Sequence, residues 1–362
     1  MTKGLKIPSR KKGFNLAAYT KHKSTPRSHK LWEFNPSNFS QLRKRCVGKK
    51  FVLALSGGKL KFACHLPLLR LIEVLGIKVD ELWGVSAGAV AGGLWANGMS
   101  AIEIDKVLDD VNLTLMFDLF NMQAVKTLIT ARKNESPLRT AGIFPGIKIE
   151  NYIRDLLEKN KKPNPLLELR NFYSVAYNIS KFHRTAFRIM PTGKIKHLEF
   201  KRDEIIGEKA TNGDLADIIR ASMAMCGIYW PENIGGEYFL DGGLTEQLPI
   251  LSPFITWLND LNKGKEKRDL FIIGMELVYA TPEAPPPPNP FSLISESFEL
   301  LGDEIAYDHE FYISHNMRNT GTNVDLVVIR PEVPYTVLTA VPDFTRQIEV
   351  SKAGIIRELA DK

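Results

Sequence analysis

The chain has 362 residues, of which 44% are hydrophobic and 25% charged, so it is long enough to bury one large core or two moderate ones and has the balance of a globular protein. Its three cysteines, Cys46, Cys64 and Cys226, are too few and too scattered for a disulfide framework or a zinc cluster, and point to a reducing, cytoplasmic setting. The sequence holds no apolar run long enough for a membrane span, and the basic N-terminus lacks the apolar centre of a secretory signal peptide.

Residues 1–48 read as a basic arm. Residues 1–50 contain fourteen Lys or Arg and one acid, Glu33, a net +13 that leaves −6 on the remaining 312 residues of a chain whose total is +7. Pro8, Pro26 and Pro36 interrupt the arm, and its start reads as extended or weakly structured. Phe14, Leu16, Tyr19, Leu31, Trp32 and Phe34 are interleaved with the cations. That mixture suits the anionic surface of a membrane, to which the protein would bind peripherally, or the phosphates of a nucleic acid. The plainer alternative is a tail wrapped on its own acidic body. No nucleic-acid fold signature accompanies the charge, which disfavours nucleic acid as a partner.

The folded body, residues 49–362, opens with Phe51-Val52-Leu53-Ala54-Leu55, a buried strand ended by Ser56-Gly57-Gly58. Ala63, Leu66, Leu69, Ile72 and Leu75 then recur at helical spacing, with Gly76 as C-cap. A second strand runs from Val79 to Trp83, and the small residues Ala89 to Leu94 read as a tightly packed helix. Strand–helix–strand–helix order predicts a parallel sheet covered by helices. Residues 101–140 read as mostly helical, Gly142 to Gly146 as a turn, and Ile147 to Glu158 as a helix. Strands are expected at Phe172–Tyr177, Leu270–Gly274 and Val324–Ile329. Thr281 to Pro290 is proline-rich and reads as a polyproline II spacer. After it, Phe291, Ile294, Phe298 and Leu301 share one helical face, read first as core and otherwise as a lid or membrane-dipping element.

The chemistry gathers at Gly84-Val85-Ser86-Ala87-Gly88. A serine between two glycines on a strand-to-helix turn is the layout of a nucleophile elbow. The turn pushes the hydroxyl outward, and the following helix offers N–H groups and partial positive charge to a developing oxyanion. A serine hydroxyl needs a partner to take its proton. Asp241, at the strand end Tyr238-Phe239-Leu240-Asp241-Gly242-Gly243, is the best candidate, although Asp-Gly is also an ordinary hairpin signal. The loop Gly57-Gly58 lies directly after the first strand, where backbone N–H groups can face a carbonyl oxygen.

Together these blocks resemble the patatin-like phospholipases, a family of serine lipid acyl hydrolases. Leu55-Ser56-Gly57-Gly58-Lys59-Leu60-Lys61 is similar to the glycine-rich oxyanion loop with its basic residue, here Lys61. Gly84 to Gly88 matches the elbow, and Gly142 to Gly146 a structural block. Ala221-Ser222-Met223-Ala224, Pro231, Leu240-Asp241-Gly242-Gly243 and Leu248-Pro249 match the stretch that ends in the family's Asp-Gly-Gly/Ala motif. The resemblance spans roughly residues 51–250. It implies an α/β, three-layer fold with a mostly parallel central sheet covered by helices. It also implies a Ser86–Asp241 dyad, an oxyanion hole at Gly57, Gly58 and Lys59, and a supporting set of Lys61, Gly84, Gly88, Gly242 and Gly243. The substrate it implies is a membrane phospholipid, cleaved as by a phospholipase A or lysophospholipase, with no cofactor and no metal. An oligomer or activating ligand is left open. The chain departs from the family at Lys59 and Phe62, where glycines are usual. Lys cannot cheaply take positive φ, so either the loop avoids it at Lys59 or the oxyanion hole is distorted.

Two other readings remain. In one, the chain is an α/β-hydrolase-type esterase whose triad is Ser86, Asp241 and either His309 or His315. In the other, a catalytically weak lipid-binding scaffold carries a basic arm that binds nucleic acid or another partner.

Overall fold

Alternate residues of the first strand enter opposite cores. In β1 (Lys50–Leu55), Phe51, Leu53 and Leu55 join one apolar cluster, while Val52 and Ala54 join another. A strand buried on both faces needs no polar alternation, which is why this segment is a continuous apolar run. The structure is a computed structural model that describes residues 27–111, 115, 142–279, 290–320, 323–333 and 343–361.

Among these residues the helices are α1 (Ser40–Cys46), α2 (Leu66–Leu75), α3 (Ala87–Ala96), α4 (Ala101–Val107), α5 (Ile147–Lys159), α6 (Leu215–Ser222), α7 (Leu251–Asn262), α8 (Pro290–Thr320) and α9 (Phe344–Leu359). Leu69, Leu94, Ile104, Ile153, Ile218 and Ile348, from α2 to α6 and α9, cover one sheet face. Phe254 and Trp257 of α7 with Ala306 and Ile313 of α8 cover the other. The result is the expected three-layer α/β architecture.

The central sheet is mixed. Its parallel part runs in the order β13 (Val324–Ile329), β11 (Leu270–Met275), β1, β2 (Glu81–Val85) and β4 (Phe172–Asn178). An antiparallel meander of β5 (His183–Ile189), β6 (Ile195–Lys201) and β7 (Glu204–Thr211) extends it. β10 (Glu237–Asp241) and its partner β9 (Glu232–Ile234) complete the ten strands.

The register around β4 creates the site. β2 lies parallel to β4 and ends with Val85 opposite Val175. β10 lies antiparallel to β4 and ends with Asp241 opposite Ala176. β5 pairs with Ser174 to Asn178 and so occupies the other edge. β2 and β10 therefore share one edge of β4 and run towards each other. Their C-terminal ends meet within one strand residue, about 3.3 Å. The expected strand-end Asp is present, but it approaches the end of the parallel strands from the opposite direction.

Other expectations change. Gly142 to Phe144 is strand β3, paired with β8 (Gly227–Tyr229), and only Pro145-Gly146 forms the turn. The helical reading of residues 101–140 holds for α4, and most of its remainder lies outside the described residues. The proline-rich run before Pro290 also lies outside them. Of the stripe on α8, Phe298 is half-buried and Leu301 is 58% exposed, so these two do not share a buried face. The side chains of Phe291 and Ile294 lie outside the described ones.

Residues 1–26 of the arm, with Phe14, Leu16 and Tyr19, lie outside the described residues, but residues 27–48 belong to the folded body. Trp32, Phe34, Phe39 and Leu42 are buried in the first core, so the arm's Trp32 and Phe34 do not face a membrane or a nucleic acid. Burying such large side chains stabilises the fold by about 1.5–3 kcal/mol each. The cations follow the chain: Arg27 pairs with Asp105, while Arg45 and Lys49 pair with Asp325 on β13. Of the readings of the arm, the one that wraps the body describes residues 27–48.

Candidate active site

β2 ends at Val85 and α3 starts at Ala87, which leaves Ser86 as a one-residue corner at φ 48° and ψ −113°. A non-glycine residue in such a conformation costs about 1–3 kcal/mol and persists only where its surroundings enforce it. Here the Ser86 N–H donates to Ser222 Oγ (2.9 Å), and the Ser222 hydroxyl donates to the Val175 carbonyl (2.6 Å). Gly88 N–H donates to the Ser56 carbonyl (3.1 Å). The flanking glycines are demanded by contact. A Cβ on Gly84 would stand 2.6 Å from the Gly88 carbonyl oxygen, and one on Gly88 would stand 2.1 Å from the Leu55 carbonyl oxygen.

Asp241 meets this corner. Its carboxylate accepts hydrogen bonds from the Ser86 side chain and from the Gly243 N–H, the latter at 2.9 Å. Its own N–H donates to the Ala224 carbonyl at 2.9 Å. Ser222, the last residue of α6, and Ala224, two residues on, thus hold one partner each. Replacing Ser222 by Ala would leave the buried Ser86 N–H without its acceptor, an expected cost of about 1–3 kcal/mol. If Ser86 is the nucleophile, turnover of a small ester is expected to fall with KM little changed, because Ser86 and not the apolar cavity is displaced. Steady-state kinetics beside a urea melt would check this; equal losses in kcat and in affinity would reject it.

The Asp241 carboxyl is buried, and burial pushes its pKa up from the usual carboxylate range to about 6. The hydrogen bonds from Ser86 and Gly243 and the positive charge of Lys59 oppose that rise. The result is a carboxylate that is ionised at neutral pH and more basic than a solvated Asp.

The oxyanion loop is only partly as expected. Gly57 spends its N–H on the Gln247 carbonyl at 2.9 Å, so it is not a donor to substrate. Gly58 and Lys59 line the same cavity as Ser86 and Asp241. Lys59 takes φ 53°, so the loop does not avoid the left-handed region at this residue. Ala87, the first residue of α3, lines the neighbouring cavity with Ser86 and Lys59.

The supporting residues are deeper. Lys61 is buried outside the dyad cavity and donates to the Leu277 carbonyl at 2.7 Å, tying the loop to the end of β11. Gly242 lies against β4, where a Cβ would stand 2.4 Å from the Val175 carbonyl oxygen. His65 is fully buried, its pKa driven down to about 3 by burial, and its Nε2–H donates to the Ser56 carbonyl at 2.9 Å. It is a neutral structural histidine that shares its acceptor with Gly88.

Two cavities meet at Ser86. The first holds Gly58, Lys59, Ser86, Asp241, Gln247 and Phe298. The second is almost wholly apolar and runs past Val90 and Leu94 of α3, Ile149 and Ile153 of α5, and Met223 and Met225. His309 lines neither; it faces a separate groove with His183 and Tyr312. His315 stacks on Phe311 with ring centroids 6.1 Å apart. A Ser86–Asp241–histidine triad is therefore not assembled, since neither histidine lines a cavity with Ser86 or Asp241.

Sequence reasoning missed Gln247, whose carbonyl binds Gly57 and whose side chain packs on Gly57, Gly243 and Gly302. It also left Ser222 and Ala224 without a role. Their signal was proximity in sequence to Asp241 within one matched block, which says nothing of what they bond.

The chain resembles known proteins to different extents. It is 41% identical to the neuropathy target esterase sws of Drosophila melanogaster over 61 residues, 17% of this chain and 4% of that protein. The Drosophila persimilis homologue is 39% identical over a stretch of the same length. The chain spans a small fraction of these relatives. Among solved structures, VipD from Legionella pneumophila aligns with a TM-score of 0.40 and 16% identity, covering 86% of this chain and 66% of that one. The type III effector protein ExoU aligns at 0.35 and 13%, covering 86% of this chain and 53% of its own. The family model described as "Patatin-like phospholipase" matches residues 53–254, more than half of the sequence, from within β1 to within α7. This span contains the elbow, the glycine loop and the Asp241 strand end, and the chain belongs to the patatin-like phospholipase family.

Proposed function

We propose that this protein hydrolyses fatty acyl esters of membrane phospholipids, as a phospholipase A or lysophospholipase does, through Ser86 and Asp241. The observation that carries the reading is the hydrogen-bonded Ser86–Asp241 pair at the mouth of an apolar cavity. The fatty acyl chain occupies the apolar cavity, and the ester carbonyl sits over the elbow.

The Ser86 hydroxyl oxygen attacks the ester carbonyl carbon while its proton passes to the Asp241 carboxylate. The oxyanion is met by the backbone N–H groups of Gly58 and Ala87 at the head of α3, each worth about 3 kcal/mol in such a site. Collapse of the tetrahedral adduct expels the alcohol, which takes the proton from Asp241 and leaves acyl-Ser86. Asp241 then accepts a proton from water as the water attacks the acyl carbon. Release of the fatty acid returns that proton to Ser86. The test is incubation of the protein with mixed phospholipid vesicles and mass spectrometry of the products. Free fatty acid with lysophospholipid is expected; intact lipid throughout would reject the reading.

The pH dependence follows from Asp241, which must be ionised to accept a proton. With its pKa raised to about 6, kcat/KM is expected to be flat above that value and to drop tenfold per pH unit below it. Because the Lys59 charge holds this pKa down, Lys59→Met should move the acid limb to higher pH. A limb near pH 4 in the parent protein, or one that ignores Lys59, would remove Asp241 from the base role.

A further inference from the structure

Helix α8 is apolar on two sides. Phe298 points into the cavity of Ser86 and Asp241, and Gly302 packs on Gln247, so one side roofs the dyad. Leu300, Tyr307 and Phe311, at spacings of seven and four, form a stripe on the outer side that is 68%, 57% and 74% exposed, and Leu301 beside it is 58% exposed. A surface helix ordinarily turns charged residues outward, and exposed apolar patches of this kind mark interaction sites.

A groove runs along α8, past Ile305, Asp308, His309 and Tyr312, and its other wall is formed by the ends of the β4–β5 and β6–β7 hairpins. Those ends present Phe182, 75% exposed at φ 57°, together with Lys201 and Arg202, the latter at φ 56°. Among the described residues, only Lys59, Ser86, Phe182 and Arg202 are non-glycine residues with positive φ, two beside the dyad and two on this groove. The groove and outer stripe carry both signs, Lys201 and Arg202 against Glu304 and Asp308, all exposed.

We infer that the outer face of α8, with Phe182 at its flank, is the surface that docks on a bilayer of zwitterionic phospholipid. The inference rests on the lipid hydrolase reading above. Apolar side chains enter the acyl boundary, while headgroup phosphates meet Lys201 and Arg202 and headgroup ammonium groups meet Asp308 and Glu304. The helix that roofs the dyad is then the helix in contact with substrate. No helix among the described residues is long and apolar enough to cross a membrane, so α8 lies on the surface and does not span it.

The test uses the full chain carrying Ser86→Ala, so that vesicle binding is read without hydrolysis and a failure of docking is separate from a failure of chemistry. Sedimentation with phosphatidylcholine vesicles is expected to show binding that persists at high salt, because apolar insertion is not screened as a basic arm is. The triple substitution Leu300→Ser, Leu301→Ser, Phe311→Ser should weaken that binding by roughly a hundredfold. In the Ser86 background it should leave hydrolysis of a short soluble ester unchanged, which also checks folding. As an independent measure, Phe311→Trp should add fluorescence that brominated phosphatidylcholine quenches. Three results would each overturn the inference: no binding to phosphatidylcholine, unchanged binding by the triple variant, or binding confined to anionic vesicles and lost on Arg10→Gln, Lys11→Gln, Lys12→Gln.

Discussion

Replacing Ser86 by Ala, or Asp241 by Asn, is expected to lower ester hydrolysis by about 10⁴-fold or more. Alanine removes the only hydroxyl on the elbow. Asparagine keeps the shape of Asp241 and can still face Gly243 N–H and Ser86, but it cannot accept a proton at any working pH. On the proposed mechanism the two side chains act as one unit. The double variant should accordingly be no worse than the more damaged single variant. Both single variants should fold, because β2, α3 and β10 are held by backbone pairing and by Ser222 and Ala224. The measurement is release of fatty acid from vesicles by wild type and each variant, with circular dichroism as the folding check. Equal release from all three would dispose of the dyad.

The second large effect concerns folding. Gly88→Ala should destabilise the protein by more than about 4 kcal/mol, against a total of about 5–15 kcal/mol for a typical domain. The added Cβ would stand 2.1 Å from the Leu55 carbonyl oxygen and 2.5 Å from its carbon. These are backbone atoms of β1, locked on both sides by β2 and β11. Neither strand can retreat without breaking ladder hydrogen bonds. Gly93→Ala, on the same helix, provides the contrast. Its Cβ would meet Ile219 Cδ1 at 2.5 Å, the far end of a flexible side chain that can rotate away. That variant should lose about 1–2 kcal/mol. Chemical denaturation of both variants would check the ordering, and a Gly88→Ala protein as stable as the parent would refute the close approach drawn from the geometry.

Much of this architecture was legible because local chemistry forced it. The Phe51–Leu55 run, the helical spacing up to Gly76 and the elbow each describe a segment whose neighbours in sequence decide its form. Gly76 does take a left-handed conformation, at φ 61°, as a C-cap. The second strand was displaced by two residues, from Val79–Trp83 to Glu81–Val85, because apolar Val79 is buried outside the ladder by a bond from its N–H to Leu166. The meander β5–β7 went unread because β5 and β6 bury polar and charged residues such as Arg184 and Glu199, β7 is largely exposed, and the pairing partners lie across hairpins.

The aromatics of residues 31–34 show the same limit from the other side. A basic, proline-interrupted segment with Trp32 and Phe34 has no periodicity that separates a free arm from one folded back. The matching surface is made by α2 and α9, and Lys352 of α9 lies 5.2 Å from the Phe34 ring centre. Nothing near Trp32 in sequence records that surface.

The sequence by itself determined that Ser86 stands on a sharp glycine-flanked corner and that Asp241 closes a strand, since both depend on a few adjacent residues. Only the tertiary structure decided that they touch. β2 and β10 reach the same edge of β4 from opposite ends, and the residue at which they stop is set by hydrogen-bond register with Val175 and Ala176. Register is a property of paired backbones, and a single chain read in order carries no record of which strand will stand beside it.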